Sequence, residues 1–184
     1  MRFSWNINRL LGLVVLTGLV PVLSSCIFNN HTSRPPNTYA CDFQTNAAIQ
    51  ADTALFHISP DSTITAYNFS VQSGSSLVFR YNHQKKAPDH ARDAGFSETL
   101  VFRIPTDVKK FDYQDKNFSQ ADVFYQRSCA CSISGAGFKV TSGLIRGERL
   151  SPVHWIIRVD VTVHTPDGDF HLKFNRPFYE KNLL

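Results

Sequence analysis

The most regular stretch of the chain runs from Val153 to Phe174. Val153, Trp155, Ile157, Val159, Val161 and Val163 alternate with His154, Ile156, Arg158, Asp160, Thr162 and His164. Phe170, Leu172 and Phe174 then alternate with His171, Lys173 and Asn175. A period of two puts one set on each face of a strand. Asp167-Gly168 is a favoured two-residue hairpin turn, and it pairs Val163 with Leu172 and Val161 with Phe174.

The same pattern recurs upstream in shorter pieces. Ala54, Phe56 and Ile58 suggest a first strand, although residues 45–53 also fit a short helix. Tyr67, Phe69 and Val71 face Leu77, Phe79 and Tyr81 if Ser73-Gly74-Ser75 is a three-residue loop. That register gives an aromatic ladder worth roughly 0.2–1 kcal/mol per pair. Leu100, Phe102 and Ile104 make another strand, stopped by Pro105; Phe111 with Tyr113, and Val123 with Tyr125, make two more. In the segment Phe138–Ile145, Gly143 breaks the alternation and suggests a bulge. Residues 84–95 interrupt the pattern, and Pro88 and Gly95 fit one or two helical turns there.

About eight short strands, spaced turn residues and no long helical period predict an all-β antiparallel sandwich. A closed β-barrel is the alternative. With 15 phenylalanines and a single methionine, the interior must be built from rigid aromatic and β-branched side chains, which suit strands.

The start of the chain follows another pattern. Arg2 and Arg9 precede an apolar run, Leu10 to Leu23, interrupted by Gly12, Gly18 and Pro21. The run is shorter than the ~20 residues needed to cross a bilayer, and it has the parts of an export signal. It ends in Leu23-Ser24-Ser25-Cys26, which resembles the lipobox of bacterial lipoproteins. The resemblance covers residues 1–26 only. It implies a thioether-linked diacylglyceryl group on Cys26, cleavage before it by signal peptidase II, and often a further acyl chain on the new amino group. Two or three acyl chains anchor stably where one does not. An aspartate after the cysteine favours the inner membrane in enteric bacteria; Ile27 stands there, which resembles outer-membrane sorting. The expected organisation is a signal peptide over 1–25, a lipidated, semi-stiff tether over 26–40 containing Pro35-Pro36, and one β domain over 41–184.

Loss of the leader leaves roughly 160 residues, the size of one domain. The formal charge of +4 falls as Arg2 and Arg9 leave, and so modest a balance gives no support for nucleic-acid binding. Of the four cysteines, Cys26 is committed to lipid, which leaves Cys41, Cys129 and Cys131. An exported compartment supports disulfides, so Cys41 is expected to pair with Cys129 or Cys131. That link would contribute about 4–5 kcal/mol in the chain-entropy model.

Four places carry candidate chemistry. The hairpin register puts His164 opposite His171 on the outer face, but a specific metal site wants three or four ligands. Cys129-Ala130-Cys131 presents two sulfurs suited to a soft metal, although a structural disulfide accounts for them more simply. Asp167-Gly168-Asp169 looks like part of a calcium loop, yet two carboxylates cannot supply six to eight oxygens. The 84–95 segment combines Lys85, Lys86, His90 and Arg92 with Asp89 and Asp93, on a loop where binding residues tend to sit. No nucleophile elbow, zinc-protease helix or phosphate- or dinucleotide-binding glycine loop occurs, so no catalytic residue, metal or cofactor is assigned. The expectation is a lipid-anchored envelope protein that binds a protein or glycan partner through the 84–95 loop. The alternatives are a hydrolase whose site is assembled only by the fold, and a structural subunit of an envelope complex.

Overall fold

The computed structural model describes residues 37–59, 61–87, 95–130 and 134–181. Nearly all of them are β. Ten strands follow in order: β1 Asn37–Ser59, β2 Ser62–Ser73, β3 Ser76–Lys85, β4 Phe96–Pro105, β5 Lys110–Gln114, β6 Phe124–Cys129, β7 Gly137–Lys139, β8 Ser142–Ser151, β9 His154–Thr165 and β10 Gly168–Glu180. A 3-10 helix, Asp115–Gln120, follows β5 and buries Phe118.

The strands form one mixed sheet in the order β2-β7-β6-β4-β3-β1-β10-β9-β8-β5, with β2 also paired to β1. The pairings β1-β3-β4-β6-β7-β2 thus close a ring. The remaining four strands extend from β1 through a short parallel contact, Asp42 with Tyr179 and Phe43 with Glu180. The expected all-β class holds, and the strands are joined in one mixed sheet. Side chains from both parts of the sheet share one core. Phe79 of β3 meets Trp155 of β9 edge-on at 5.4 Å and Phe178 of β10 at 5.8 Å. Tyr81 stacks on Phe174 at 4.2 Å. Burying each such side chain is worth about 1.5–3 kcal/mol. On β9 the alternation performs as its pattern demands: Trp155, Ile157, Val159, Val161 and Val163 are all buried. Val153, grouped with them in the sequence pattern, lies before β9 and is exposed.

Expected features are corrected in three places: along β1, at the last hairpin and at Gly143. The ladder of Tyr67–Tyr81, Phe69–Phe79 and Val71–Leu77 does not form. β1 is 23 residues long and takes both partners in succession: β3 along Asn37–Ala47 and β2 along Ala47–Ser59. Ser73-Gly74-Ser75 is therefore a break between two strands that follow each other along β1. Residues 45–53 are strand, not helix. Asn37–Ala40, assigned above to the tether, pair with Lys85–Asn82 and belong to the sheet.

The second correction concerns the last hairpin. Thr165 pairs with Gly168, so Val163 meets Phe170 and Val161 meets Leu172. The turn residues are Pro166 and Asp167. Proline fixes φ near −65°, which suits the first central position of a type I turn and forbids the positive φ of a type I′ turn. Gly168 then takes φ +113°, as in hairpins that follow a type I turn with a left-handed glycine. The register moves by two residues, so every side chain keeps its face. Thirdly, Gly143 pairs regularly with Val161, and the irregularity of β8 lies between Arg149 and Ser151.

Ring closure depends on Gly137. Tyr67 and Phe69 of β2 cover Phe124 of β6, each at 5.5 Å. The β2–β7 pairing is the single contact Tyr67–Gly137. A Cβ at Gly137 would lie 2.3 Å from the Tyr67 carbonyl oxygen.

Candidate functional site

The inner face between the two halves is apolar for most of its length. At the end where β3 finishes and β4 begins, the residues at core-facing positions turn polar. Tyr39, Cys41 and Phe43 share one face of β1; Phe79, Tyr81 and His83 share one face of β3. Glu98 precedes Leu100 and Phe102 on β4, Arg127 follows Tyr125 on β6, and Arg176 stands between Phe174 and Phe178 on β10. Cross-strand pairing sets His83 beside Glu98, and Glu98 beside Arg127.

Glu98 ties this end together. Its Oε1 lies 2.9 Å from His83 Nδ1, and its Oε2 accepts the Tyr125 hydroxyl at 3.0 Å. The His83 and Glu98 side chains are only 12% and 15% exposed. A carboxylate only accepts, so Nδ1 carries the shared proton and Nε2 is the nitrogen left over. That Nε2 is buried with no hydrogen-bond partner among the described residues. Burial, and then the nearby Glu98 charge, push the Tyr125 and Tyr81 hydroxyls well above the usual phenol range.

Around this network runs a chain of stacked groups. The Arg176 guanidinium lies 3.8 Å over the Tyr39 ring. Tyr39 stacks on His83 at 4.4 Å, and His83 meets Phe96 edge-on at 5.2 Å. The Arg127 guanidinium then sits between Phe96 at 4.8 Å and Phe170 at 4.7 Å. Cation–π contacts of this kind are worth roughly 0.5–2 kcal/mol. Neither arginine makes an ion pair among the described residues. The result is a rim of aromatic surface carrying two guanidiniums that make no ion pair among the described residues.

The residues singled out in the sequence fall unevenly around this rim. Lys85 ends β3 and Lys86 follows it, both exposed. His90, Arg92, Cys26, Cys131 and the leader lie outside the described residues. Cys41 is a free thiol, which overturns the expected bond from Cys41 to Cys129 or Cys131. It lies on the inner face near Arg176, and burial raises its pKa. Cys129 is disulfide-bonded, so it offers no thiolate to a soft metal. His164 does not face His171: the two-residue shift pairs it with Asp169, 2.8 Å away. His171 instead contacts Asp160 at 3.1 Å. Asp160 also takes a 2.7 Å contact from Lys173, which holds its carboxyl below the usual range. Among the described residues no three His, Cys, Asp or Glu side chains converge to hold a metal.

No family model matches the chain. No curated protein and no solved structure matches it either. The reading of the rim therefore rests on its own chemistry. His83, Glu98, Tyr125, Arg127 and Arg176 were not singled out from the sequence, yet each carried a signal there. Each is a polar or half-polar residue at a position whose strand parity is otherwise apolar.

Proposed function

We propose that the chain is an outer-membrane lipoprotein of the bacterial envelope, acylated at Cys26, whose β domain is a binding module. Its contact surface is the rim together with the 84–95 connection, which joins the strands bearing His83 and Glu98. The observation that carries this reading is the pair Arg127 and Arg176, each fixed on aromatic rings and engaged in no ion pair among the described residues. Guanidiniums held this way are pre-organised for acidic groups on a protein or glycan partner. Lys85, Lys86 and Arg92 add a positive steering field at the same connection.

Two experiments test the parts separately. Intact-mass analysis of the membrane fraction should find an acylated N-terminus at Cys26, absent in Cys26→Ala; an unacylated wild-type N-terminus refutes the anchor. Replacing Lys85, Lys86 and Arg92 with serine should weaken recovery of a chemically crosslinked partner while thermal stability changes by no more than about 0.5 kcal/mol. Undiminished recovery removes the connection from the binding surface.

One observation favours a second reading, an envelope hydrolase. His83, oriented through Nδ1 by Glu98, has the arrangement of a general base. No hydroxyl or thiol among the described residues hydrogen-bonds to its Nε2, so binding ranks first. Turnover in an esterase, peptidase and glycosidase panel that disappears in His83→Gln would reverse that order.

A further inference from the structure

A second site lies on the outer face of the other half of the sheet. A cleft of about 290 Å³ opens over β5, β8, β9 and β10, lined by Lys110, Asp112, Arg146, Glu148, Ile156 and Arg158, with Asn175 at its edge. Cross-strand pairing builds its floor in two rows. Asp112, Arg146, Arg158 and Asn175 form one, and Lys110, Glu148 and Ile156 the other.

The charges in these rows do not cancel. Arg146 and Arg158 stand directly opposite each other on β8 and β9, an arrangement that destabilises a sheet when left uncompensated. Asp112 takes up Arg146 at 3.2 Å, and Glu148 takes up Lys110 at 3.7 Å. Arg158 has no ion-pair partner among the described residues. The acid next to it on the outward face of its strand, Asp160, is already engaged by Lys173 and His171. One guanidinium is therefore left over in a concave site, with an amide to one side and the Ile156 side chain beside it.

We propose that this cleft binds a small ligand carrying an anionic oxygen group, carboxylate or phosphate, on an apolar body. The anion would sit at Arg158, flanked by Arg146 and Asn175, with the apolar body against Ile156. A guanidinium donates two parallel N–H bonds to either kind of group. The volume suits a ligand at the small end of the range for binding pockets. Nothing in this site depends on the rim or on the lipid anchor.

The test is a ¹⁵N chemical-shift titration of the mature protein with phenyl phosphate and with benzoate, against sodium chloride at matched ionic strength. Saturable shifts confined to the amides around Arg146, Ile156 and Arg158 are expected from at least one of the two, and the tighter one identifies the anionic group. Arg158→Gln should weaken that ligand by about tenfold and Arg158→Lys by less, because lysine keeps the charge but loses the fork. Lys181→Gln, a basic substitution outside the cleft, should change nothing. Shifts that do not saturate, that spread over the surface as they do with chloride, or that titrate with unchanged affinity in Arg158→Gln overturn the proposal. Arg158 is exposed on a strand face, so its spectra also report whether each variant stays folded.

Discussion

Glu98→Ala is the sharpest probe of the rim. The substitution removes one acceptor from two buried donors, the Tyr125 hydroxyl and His83 Nδ1. Neither has another acceptor among the described residues, and Tyr125 is 2% exposed. A buried polar group left unpaired costs about 1–3 kcal/mol. Two such groups set an upper bound of about 6 kcal/mol; water entering the vacated carboxylate space offsets part of that, leaving an expected loss of about 2–4 kcal/mol. Tyr125→Phe alone removes a donor together with its need and should cost only about 1 kcal/mol. In the double variant the orphaned hydroxyl is gone, so its loss should fall short of the two single losses added together by about 1–2 kcal/mol. Urea unfolding of the four proteins measures this, provided the slopes agree and only the midpoints move. A loss below about 0.5 kcal/mol for Glu98→Ala, the range of an ordinary surface change, would refute the network. Strict additivity around the cycle would show that Glu98 and Tyr125 do not interact.

Three further predictions concern other parts of the molecule. Gly137→Ala should break the β2–β7 contact, since a backbone oxygen cannot yield to the new Cβ; hydrogen exchange should rise in β2 and stay low in β9 and β10, and unchanged protection of β2 would show closure does not depend on that glycine. Cys41 should alkylate slowly in native protein at pH 8 and rapidly on unfolding, because burial raises its pKa and the thiolate is the reactive form; a peptide linking Cys41 to Cys129 or Cys131 in non-reduced protein would contradict this. Tyr81 and Tyr125 have folded pKa values raised above their unfolded ones, so their contribution is complete below about pH 10 and lost above it, at about 1.4 kcal/mol per pH unit for each group. Stability that stays flat from neutral to strongly alkaline pH would rule out their burial as described.

How far the fold could be read depended on what each signal encodes. Alternation encodes faces, and the faces were legible: the apolar residues that the pattern marked on β3, β4, β9 and β10 belong to the core or pack against it. Pairing is encoded elsewhere. Nothing in Tyr67–Tyr81 discloses that β1, not β2, will lie against β3, because a strand long enough to take two partners looks locally like a shorter one. The hairpin register was readable in principle, since Pro166 excludes the turn that Asp167-Gly168 suggests on its own. The two-histidine pair failed with that register, while the outward direction of both rings survived because the shift was even. The rim was hidden for a different reason. Its members come from five strands, and only the fold makes Arg127 and Arg176 neighbours of the same aromatic chain.

The position of the rim also bears on how a tethered domain would work. Asn37, the first residue of β1, pairs with Lys85, the last of β3. The strand that a lipidated N-terminus would lead into thus starts at the same end of the sheet from which the 84–95 connection departs. Residues 26–36 between the acylated cysteine and β1 span at most about 40 Å when fully extended. If Cys26 carries the anchor, the proposed contact surface lies on the tethered end of the domain, not its far end. A partner engaging Lys85, Lys86 and the rim would therefore be held within about 40 Å of the membrane surface, and lengthening the tether should relax that restriction without altering the rim. The cleft at Arg158 is built on the four strands that β1 reaches only through its short parallel contact, so a tether length that changes rim binding should leave ligand titrations at Arg158 unchanged. Parallel changes at both sites would show that they are coupled.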